Sequence, residues 1–441
     1  MFTNRMIRNL LVPVVLEQIL NSIMGTADTM MVSNVGSAAL SAVSLVDSIN
    51  VLLIQAFSAL AAGGAIVCAQ YIGQRNYEKA NMSARQVLFI ITAISVVVSA
   101  VCLIFQKPLL RLIFGAVDAD VMRASETYFF FTALSFPFIA AYDSAASIFR
   151  AQENTKGPMA ISMISNIMNI GGNAVLIWVF HLGVAGAAIS TLVSRIFCAV
   201  VVLWQLRKDR QPVVVKDYLK IRPDWSMIGR ILGLGIPSGI ENSMFQLGKL
   251  AIQSTVSTLG TAAIAAQAMT NILENLNGIA AIGVGVGLMT IVGQCLGAGR
   301  KDEAVYYIKK LSVIAEVAII VSCLLVFAVT GPVTVLGGME PASAKMCFHM
   351  VIWITIVKPI VWTLAFVPAY GLRAAGDVKF SMITSCLVMW LCRFCLCVIL
   401  IRFLGFGPMG VWIGMFADWT VRAVIFTWRF HSRRWLRYKV I

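Results

Sequence analysis

The sequence predicts an all-α polytopic membrane protein with about twelve transmembrane helices in two pseudo-symmetric six-helix lobes. Three observations lead to this prediction: an apolar composition, a series of long apolar segments, and a repeat that runs through the chain. Of the 441 residues, 59% are hydrophobic and 12% are charged, and the mean hydropathy is +0.86. Such a chain has too little polar material to cover the surface of a water-soluble globule.

The apolar segments have the length of membrane helices. A transmembrane helix needs about 20 mainly apolar residues, and no stretch alternates apolar and polar residues as an outer-membrane barrel does. The predicted spans are 10–32, 45–72, 87–106, 121–148, 158–180, 184–206, 228–257, 263–294, 306–330, 346–371, 380–403 and 408–430.

The distribution of basic residues explains the net charge of +15. With both termini on the inner side, 25 Lys and Arg fall in inner segments and 5 in outer loops. This split follows the positive-inside rule, so we expect cytoplasmic termini and no nucleic-acid partner. The first apolar run carries Glu17 and Asp28 and is interpreted as a retained helix rather than a signal peptide.

The chain aligns with itself when it is shifted by 224 residues. This shift places Pro13 on Pro237, Glu17 on Glu241, Gly36 on Gly260, Gln70 on Gln294, and Gly183 on Gly407. We predict an N-terminal lobe (1–206), a cytoplasmic linker (207–227), a C-terminal lobe (228–430) and a basic tail (431–441). With an even number of helices in each half, the lobes should be related by an axis along the membrane normal, with a substrate path between them.

The first span carries a polar stripe. Glu17, Asn21, Met24 and Asp28 follow one another at spacings of 4, 3 and 4, which places them on one helical face. Pro13 removes a backbone donor from the same helix and favours a bend there. Ionisable groups at membrane depth are costly unless they are paired or hydrated, which makes Asp28 the strongest functional candidate. The alternative is that Asp28 pairs with Arg195 or belongs to a buried network.

Two further spans supply oxygen ligands. Asn166, Asn169 and Asn173 recur at helical spacing in span 158–180, and Thr191 lies in the next span. Together with Asp28 they offer hard oxygens that suit a small cation, and the carboxylate alone could instead carry a proton. Amide-rich stripes also hold helices together, so a packing role remains open for them.

The second half lacks this acid, because Ile252 stands at the position of Asp28. It has its own polar group, Glu241, Gln246, Lys249 and Glu274, which we interpret as a wall of the substrate cavity together with Glu17, Asn21 and Met24. The alternative is a buried ion pair of Lys249 with Glu241 or Glu274. Asp418 and Arg422 have the spacing of a local ion pair. The sequence assigns no role to Asp143, Glu316, Lys358 or Arg393.

No nucleotide-binding loop or metal-ligand cluster is present in the sequence. We therefore expect no enzyme activity, no cofactor and no metal beyond a coupling Na⁺.

Several segments resemble the multidrug and toxic compound extrusion (MATE) transporters, and the resemblance covers nearly the whole chain. In the first half they are Pro13 and residues 27–32 (ADTMMV), 70–73 (QYIG) and 149–153 (FRAQE); in the second half they are 235–237 (GIP), 294–297 (QCLG) and 372–377 (LRAAGD).

The resemblance implies two six-helix lobes and export of organic cations in exchange for Na⁺ or H⁺. In the similar DinF-like bacterial branch, a cation site lies inside the N-terminal lobe, and by motif it corresponds to Asp28, Asn169, position 173, Thr191 and the carbonyl of Ala187. The sequence departs from the pattern at Asn173, where the family has a second aspartate, and this leaves the coupling ion open.

The expected protein is thus a cation-coupled exporter of drugs or metabolites in a bacterial inner membrane, functional as a monomer, with membrane lipid and a small organic cation as its partners. The alternative is a flippase for a lipid-linked precursor, since lipid flippases share the two-lobed plan. A flippase would need a cavity rich in Arg and Lys to hold a pyrophosphate.

Overall fold

The computed structural model describes residues 1–441 and contains α-helices with short 3₁₀ and π segments and no strand. Each predicted span coincides with one helix or with one interrupted helix, so the all-α prediction is confirmed. The helices of the first half are α1 (Asn4–Ser33), α2 (Ser37–Gly73), α3 (Tyr77–Ile104), α4 (Gln106–Phe114), α5 (Ala119–Leu134), α6 (Phe136–Ala151), α7 (Lys156–Asn173) and α8 (Val184–Leu206). Those of the second half are α9 (Trp225–Val256), α10 (Thr261–Gly297), α11 (Lys301–Leu336), α12 (Pro341–Ala374), α13 (Val378–Val388), α14 (Leu396–Arg402) and α15 (Met409–His431).

Ten helices are long and apolar enough to cross a membrane, and an eleventh span is counted if α5 and α6 form one bent span. The remaining predicted span is α9, which carries Glu241, Gln246 and Lys249 along its length. A polar helix of this kind needs protein or water beside it at membrane depth.

The predicted span 121–148 is interrupted. Its two halves, α5 and α6, meet at Ser135 with a bend of 41°. Pro137 lies in the first turn of α6. Since proline has no N–H to donate to the preceding turn, the α5 hydrogen-bond pattern cannot continue through it. The short α4 was not predicted; of its nine residues only Leu110 is buried.

The chain forms two compact units. The N-terminal unit comprises Thr3–Gly239, and the C-terminal unit comprises Ile240–Val440 with Met1–Phe2. Phe129, Phe136 and Phe149 are fully buried in the first unit. Leu273, Met350 and Trp412 belong to the buried core of the second. The predicted boundaries of the lobes, linker and tail stay predictions.

The segment after α8 is held against the N-terminal unit by its backbone. The amides of Val213, Val214 and Asp224 donate to the side chains of Gln152, Asn81 and Gln86 at 2.9, 2.7 and 3.0 Å. Three such hydrogen bonds along twelve residues fix the path of this polar segment against the N-terminal unit.

The repeat is visible in the backbone. Gly183 and Gly407, which the shift of 224 residues superimposes, have φ angles of 61° and 63° at the turns that precede α8 and α15. A side chain strains this conformation, so glycine is the residue that allows both turns. The matching glycines of the sequence therefore reflect the same turn built twice.

Both units also contain the same buried ion pair. Glu17 lies 3.6 Å from Arg150 in the first unit, and Glu241 lies 2.6 Å from Arg373 in the second. All four residues occupy repeated positions, and each carboxylate is at least nine-tenths buried. We interpret this pair as part of the common scaffold.

Candidate functional site

The residues predicted to hold a cation lie together in the N-terminal unit. Asn173 Nδ2 donates to Asp28 Oδ1 at 2.6 Å and to Asn169 Oδ1 at 3.1 Å. Asn169 Nδ2 contacts Thr191 Oγ1 at 3.4 Å, and the same hydroxyl donates to the carbonyl of Ala187 at 3.0 Å. These four side chains and the carbonyl of Ala187 thus form one continuous network between α1, α7 and α8.

Local structure explains why the two asparagines meet Asp28. They are four residues apart on α7 and therefore lie on one face. Directly after Asn173 the helix widens into a π segment, Ala174–Val179. Single π turns within α-helices often accompany functional sites, since they re-aim the neighbouring side chains.

The oxygen atoms of this network fit a small hard cation. Asp28 provides a carboxylate, Thr191 a hydroxyl and Ala187 a carbonyl, and Asn173 Oδ1 is buried without a hydrogen-bond donor. Such oxygens are the ligands that hard cations prefer. No basic side chain lies within 4 Å of Asp28, whereas Arg195 donates to Ser135 Oγ at 2.7 Å. The structure therefore contains no ion pair between Asp28 and Arg195.

A cavity of about 80 Å³ adjoins the network. Its lining includes Asp28, Asn173, Ala187 and Thr191. One water occupies about 30 Å³ in the liquid, so this space is the size of a partly hydrated ion and too small for an organic cargo.

The cavity also contains residues that the sequence analysis missed. Asp47 on α2 and Tyr128 on α5 line it, and the Tyr128 hydroxyl donates to Asp47 Oδ1 at 3.1 Å. Asn50 Nδ2 donates to the same oxygen at 3.3 Å. The predicted span 45–72 places Asp47 at its boundary, where an acid carries no signal of a buried site. Since α2 starts at Ser37, Asp47 lies well inside the helix.

The rest of the polar stripe on α1 makes contacts within the same unit. Asn21 Oδ1 accepts from Ser162 Oγ at 3.0 Å and from Asn166 Nδ2 at 3.1 Å, both on α7. Glu17 Oε1 accepts from Tyr142 at 3.2 Å, in addition to its ion pair. Met24 is half-buried. The stripe therefore faces α6 and α7, and α1 runs as one helix through a buried Pro13.

In the C-terminal unit, the four predicted cavity residues divide into separate groups. Glu241 is buried, and besides its ion pair it accepts from Ser381 Oγ at 3.3 Å. Glu274 is paired with Lys358 at 2.7 Å. Lys249 is exposed and has no carboxylate within 4 Å; its ammonium lies 4.8 Å from the centre of the Phe245 ring. Gln246 is half-buried near them on α9.

Lys358, which has no predicted role, is central to this unit. It is fully buried, and besides Glu274 it donates to the side chain of Asn277. Gly278 makes room for it, because a Cβ at that position would lie 3.1 Å from Lys358 Nζ. A lone lysine in an apolar span carries no signal of its partner, so sequence reasoning could not find this pair.

Arg393, also without a predicted role, joins the predicted pair of Asp418 and Arg422. Asp418 lies 2.6 Å from Arg422 Nε and 3.2 Å from Arg393 Nε. All three side chains are at least nine-tenths buried. The predicted local pair is thus a triad in which two guanidinium groups share one carboxylate.

Two repeated helical units with ionisable groups at membrane depth have the architecture of a secondary transporter. The comparison with protein families agrees. The model of the MatE family matches residues 13–175 and 237–399, two segments separated by the same 224 residues that relate the halves of the sequence. The chain belongs to the MatE family.

Curated relatives extend over nearly the full chain. It is 27% identical over 432 residues to the "Uncharacterized transporter YisQ" of Bacillus subtilis, covering 96% of this chain and 93% of that protein. It is 23% identical over 441 residues to the "Probable multidrug resistance protein NorM" of Thermotoga maritima, covering 98% and 93%. These relatives are transporters, not enzymes, which confirms the predicted family and a membrane efflux role.

Solved structures share the fold. A MOP superfamily transporter from Pyrococcus furiosus matches with a TM-score of 0.87 and 19% identity, covering 97% of this chain and 95% of that one. An outward-facing multidrug resistance MATE family transporter also matches with a TM-score of 0.87, at 18% identity and the same coverage. At this level of identity the likeness extends to the fold alone.

Proposed function

We propose that the protein is a secondary active antiporter that exports small organic molecules, organic cations among them, in exchange for Na⁺ or H⁺ by alternating access. The observation that carries this proposal is the network of Asp28, Asn173, Asn169, Thr191 and Ala187 beside an ion-sized cavity. An acid at membrane depth with no basic side chain within 4 Å is a typical carrier of a coupling ion.

Asp47 supplies the second carboxylate that the family pattern has at position 173. It lines the same cavity as Asp28 but comes from α2 instead of α7. Two carboxylates around one cavity bind a monovalent cation more strongly than one, because each adds Coulombic attraction in a medium of low dielectric. The amide at Asn173 therefore changes the arrangement of charge without leaving the site with a single acid.

Coupling follows from competition for Asp28. A cation or proton bound to this carboxylate weakens or displaces the bond of 2.6 Å from Asn173. That bond joins α1 to α7, so its loss frees α1 to change its packing, and Pro13 gives that helix a point of weakness. An ion that binds one arrangement more tightly shifts the population toward it, and the cargo is released in that state.

The cellular location and membrane topology are inferred from the distribution of basic residues and from the family. We propose a multi-pass protein of the bacterial inner membrane with both termini in the cytoplasm, because the basic residues fall in the segments on that side. Relatives named as multidrug resistance proteins support small organic cargo, and the protein is proposed to work as a monomer surrounded by lipid.

A flippase for a lipid-linked precursor is the second candidate. One observation favours it: the C-terminal unit contains two buried basic residues, Lys358 and Arg393, besides the exposed Lys249. Basic groups of this kind can bind a pyrophosphate. Transport of a water-soluble cation across lipid vesicles separates the two candidates, since a flippase moves no such cargo.

The test is efflux of a fluorescent organic cation from proteoliposomes under an imposed Na⁺ or H⁺ gradient. Wild-type protein is expected to respond to one of the two gradients, and Asp28→Asn is expected to lose that response. Asp120→Asn is the matched control, because Asp120 is an exposed acid at the start of α5. Gradient-driven efflux at the wild-type rate in Asp28→Asn would contradict the proposal.

Two further variants identify the ion. Asn169→Ala and Thr191→Ala remove neutral oxygens from the network. They should weaken a Na⁺ response while leaving a H⁺ response in place, since a proton needs only the carboxylate.

A further inference from the structure

A large apolar cavity lies in the C-terminal unit, apart from the groups described so far. Its volume is about 750 Å³, and its walls are α12, α15 and the loop between α14 and α15. His349 is the one ionisable residue that lines it. The large side chains of the lining are otherwise apolar: Met346, Met350, Trp353, Phe406, Ile413 and Phe416. Cavities that bind small molecules typically measure about 300–1,000 Å³, so this one has room for a ligand.

The loop wall of the cavity is held in place by its backbone. Gly405 and Gly407 have φ angles of 67° and 63°, and the amide of Phe406 donates to the carbonyl of Leu400 at 3.1 Å. These turns bend the chain back over the end of α14. The loop that lines the cavity therefore lies beside Arg402, the last residue of that helix.

The cavity opens on the lipid side of α12. Beginning at Trp353, exposed residues recur along this helix at spacings of 3, 4 and 4 through Ile356, Ile360 and Leu364, and all of them are apolar. The opposite face of α12 carries the fully buried Lys358. Since ionisable groups at membrane depth face the protein interior, the exposed apolar face contacts the hydrocarbon of the bilayer.

The length of the cavity matches one leaflet of a membrane. Its wall on α12 runs from Met346 to Val357, which is a rise of about 16 Å along the helix. The hydrocarbon core of a bilayer is about 30 Å thick, so the cavity spans about half of it. The acyl chain of a phospholipid occupies the same depth.

Basic side chains flank the end of the cavity at the start of α12. Lys345 and His349 are four residues apart and lie on one face of the helix, and Arg402 lies beside the loop. All three are exposed and have no carboxylate within 4 Å; the acid nearest in sequence, Glu340, precedes the first turn of α12. With the proposed topology, Lys345 and Arg402 are two of five basic residues in outer loops, so the positive-inside rule does not account for them.

We propose that this cavity binds an anionic phospholipid of the outer leaflet, with an acyl chain between α12 and α15 and the phosphate among Lys345, His349 and Arg402. Arginine and lysine bind phosphate oxygens through charge-assisted hydrogen bonds, and the apolar walls bury the chain. A zwitterionic phospholipid has the same chains but brings its own cation to the phosphate, which makes the headgroup charge the basis of selection. The site is separate from the coupling network and adds a specific lipid partner to the proposed antiporter.

The test compares two lipids with identical chains, phosphatidylglycerol and phosphatidylcholine. Their affinities for the full-length protein in detergent are measured by native mass spectrometry, and wild type should bind phosphatidylglycerol more tightly. Lys345→Gln combined with Arg402→Gln should weaken binding of phosphatidylglycerol about tenfold, because it removes charge-assisted hydrogen bonds to the phosphate. Ile413→Trp, which narrows the cavity, should weaken binding of both lipids. The melting temperature of each variant without lipid checks that it is folded.

The matched control is Lys107→Gln combined with Arg111→Gln. It removes two other exposed basic residues of the outer loops, both in α4, and changes the net charge by the same amount. This control should bind phosphatidylglycerol like wild type. Equal affinities of wild type for the two lipids, or an equal loss in the two double variants, would overturn the inference.

The position and the nature of the ligand are tested separately. Phosphatidylglycerol with a diazirine in its acyl chain should label α12 and α15 on illumination, and labelling confined to other helices would overturn the site. Glycerol phosphate, which lacks the chains, and tetraphenylphosphonium, an apolar cation, should not displace the lipid. Displacement by the first would indicate a site for free phosphate and by the second a site for cargo, and either would overturn the lipid assignment. None of these measurements requires transport, so their outcome is independent of the proposed antiport.

Discussion

The two units keep the same scaffold and differ in the charge of their interiors. In the N-terminal unit, Asp28 and Asp47 line one cavity with amides and a hydroxyl. At the repeated positions of Asp28 and Asn169, the C-terminal unit has Ile252 and Arg393. Packing supports the correspondence of Asn169 with Arg393. The Ser190 hydroxyl donates to the carbonyl of Asn169, and Gly414, which stands at the repeated position of Ser190, lies against the carbonyl of Arg393.

The ion pairs that both units contain are structural. The ion pair of Glu17 and Arg150 and that of Glu241 and Arg373 are retained in both units, as expected for groups that hold a lobe together. The charged groups that differ include Asp28, which has no basic side chain within 4 Å, and structural pairs such as Glu274 with Lys358. We infer that the acidic unit binds the coupling cation.

The largest effect is expected in the basic unit, from breaking its innermost pair. Glu274→Gln leaves the fully buried Lys358 without its counter-ion, and such a change costs about 3–5 kcal/mol. The melting temperature of the purified protein in detergent should fall accordingly. The double variant Glu274→Met with Lys358→Met should recover much of the loss, because it removes both charges. If the single variant melts like wild type, the pair does not support this unit.

The repeated pairs give the next effect and test the scaffold directly. Glu17→Gln and Glu241→Gln each leave a partly buried arginine without its carboxylate, at a cost of about 2–3 kcal/mol. Because the two pairs are equivalent, the two variants should lower the melting temperature by similar amounts. A large effect on one side alone would break the symmetry that we assign to these pairs.

The second carboxylate of the acidic unit is expected to have a smaller effect. Asp47→Asn removes one of two charges that line the cavity and should weaken cation affinity about tenfold, which corresponds to roughly 1.4 kcal/mol. Asn173→Asp adds the aspartate of the family pattern and should strengthen it. The affinity for Na⁺, or for protons if these are the coupling ion, should be measured for both variants to check the expected decrease and the expected increase. Asp120→Asn serves again as the exposed control.

The smallest effect on stability is expected from filling the space beside Lys358 with a methyl group. Gly278→Ala places a Cβ about 3.1 Å from Lys358 Nζ, so the ammonium must shift by a few tenths of an ångström. We expect a loss of about 1 kcal/mol, typical of mild overpacking, visible as a small drop in melting temperature. Gly229→Ala is the control, since nothing lies within 4 Å of a Cβ there. Equal melting temperatures for the two variants would argue that the ammonium adapts freely.

Much of the fold was predictable because the membrane restricts it to helices and the chain repeats itself. The bend at Ser135 was not, since a proline alone does not tell whether a helix breaks or continues: α1, α9 and α12 contain prolines and run on. In the site, helical spacing predicted that Asn169 and Asn173 lie on one face, and the resemblance to the MATE transporters implied that they meet Asp28. Arg393 escaped prediction because Asp418 is far away in sequence, and Asp47 because it lies at the boundary of the predicted span 45–72 and its partner Tyr128 comes from another helix.

The central claim is that one coupling cation binds per chain, in the N-terminal unit at Asp28. Its most direct test is the number of cations bound by purified protein, measured with radioactive Na⁺ in one titration and with proton uptake in a parallel one. We expect one site in wild type and in Glu241→Gln, and none in Asp28→Asn. A cation that remains bound with wild-type affinity in Asp28→Asn, and is lost in Glu241→Gln, would instead place the coupling site in the C-terminal unit.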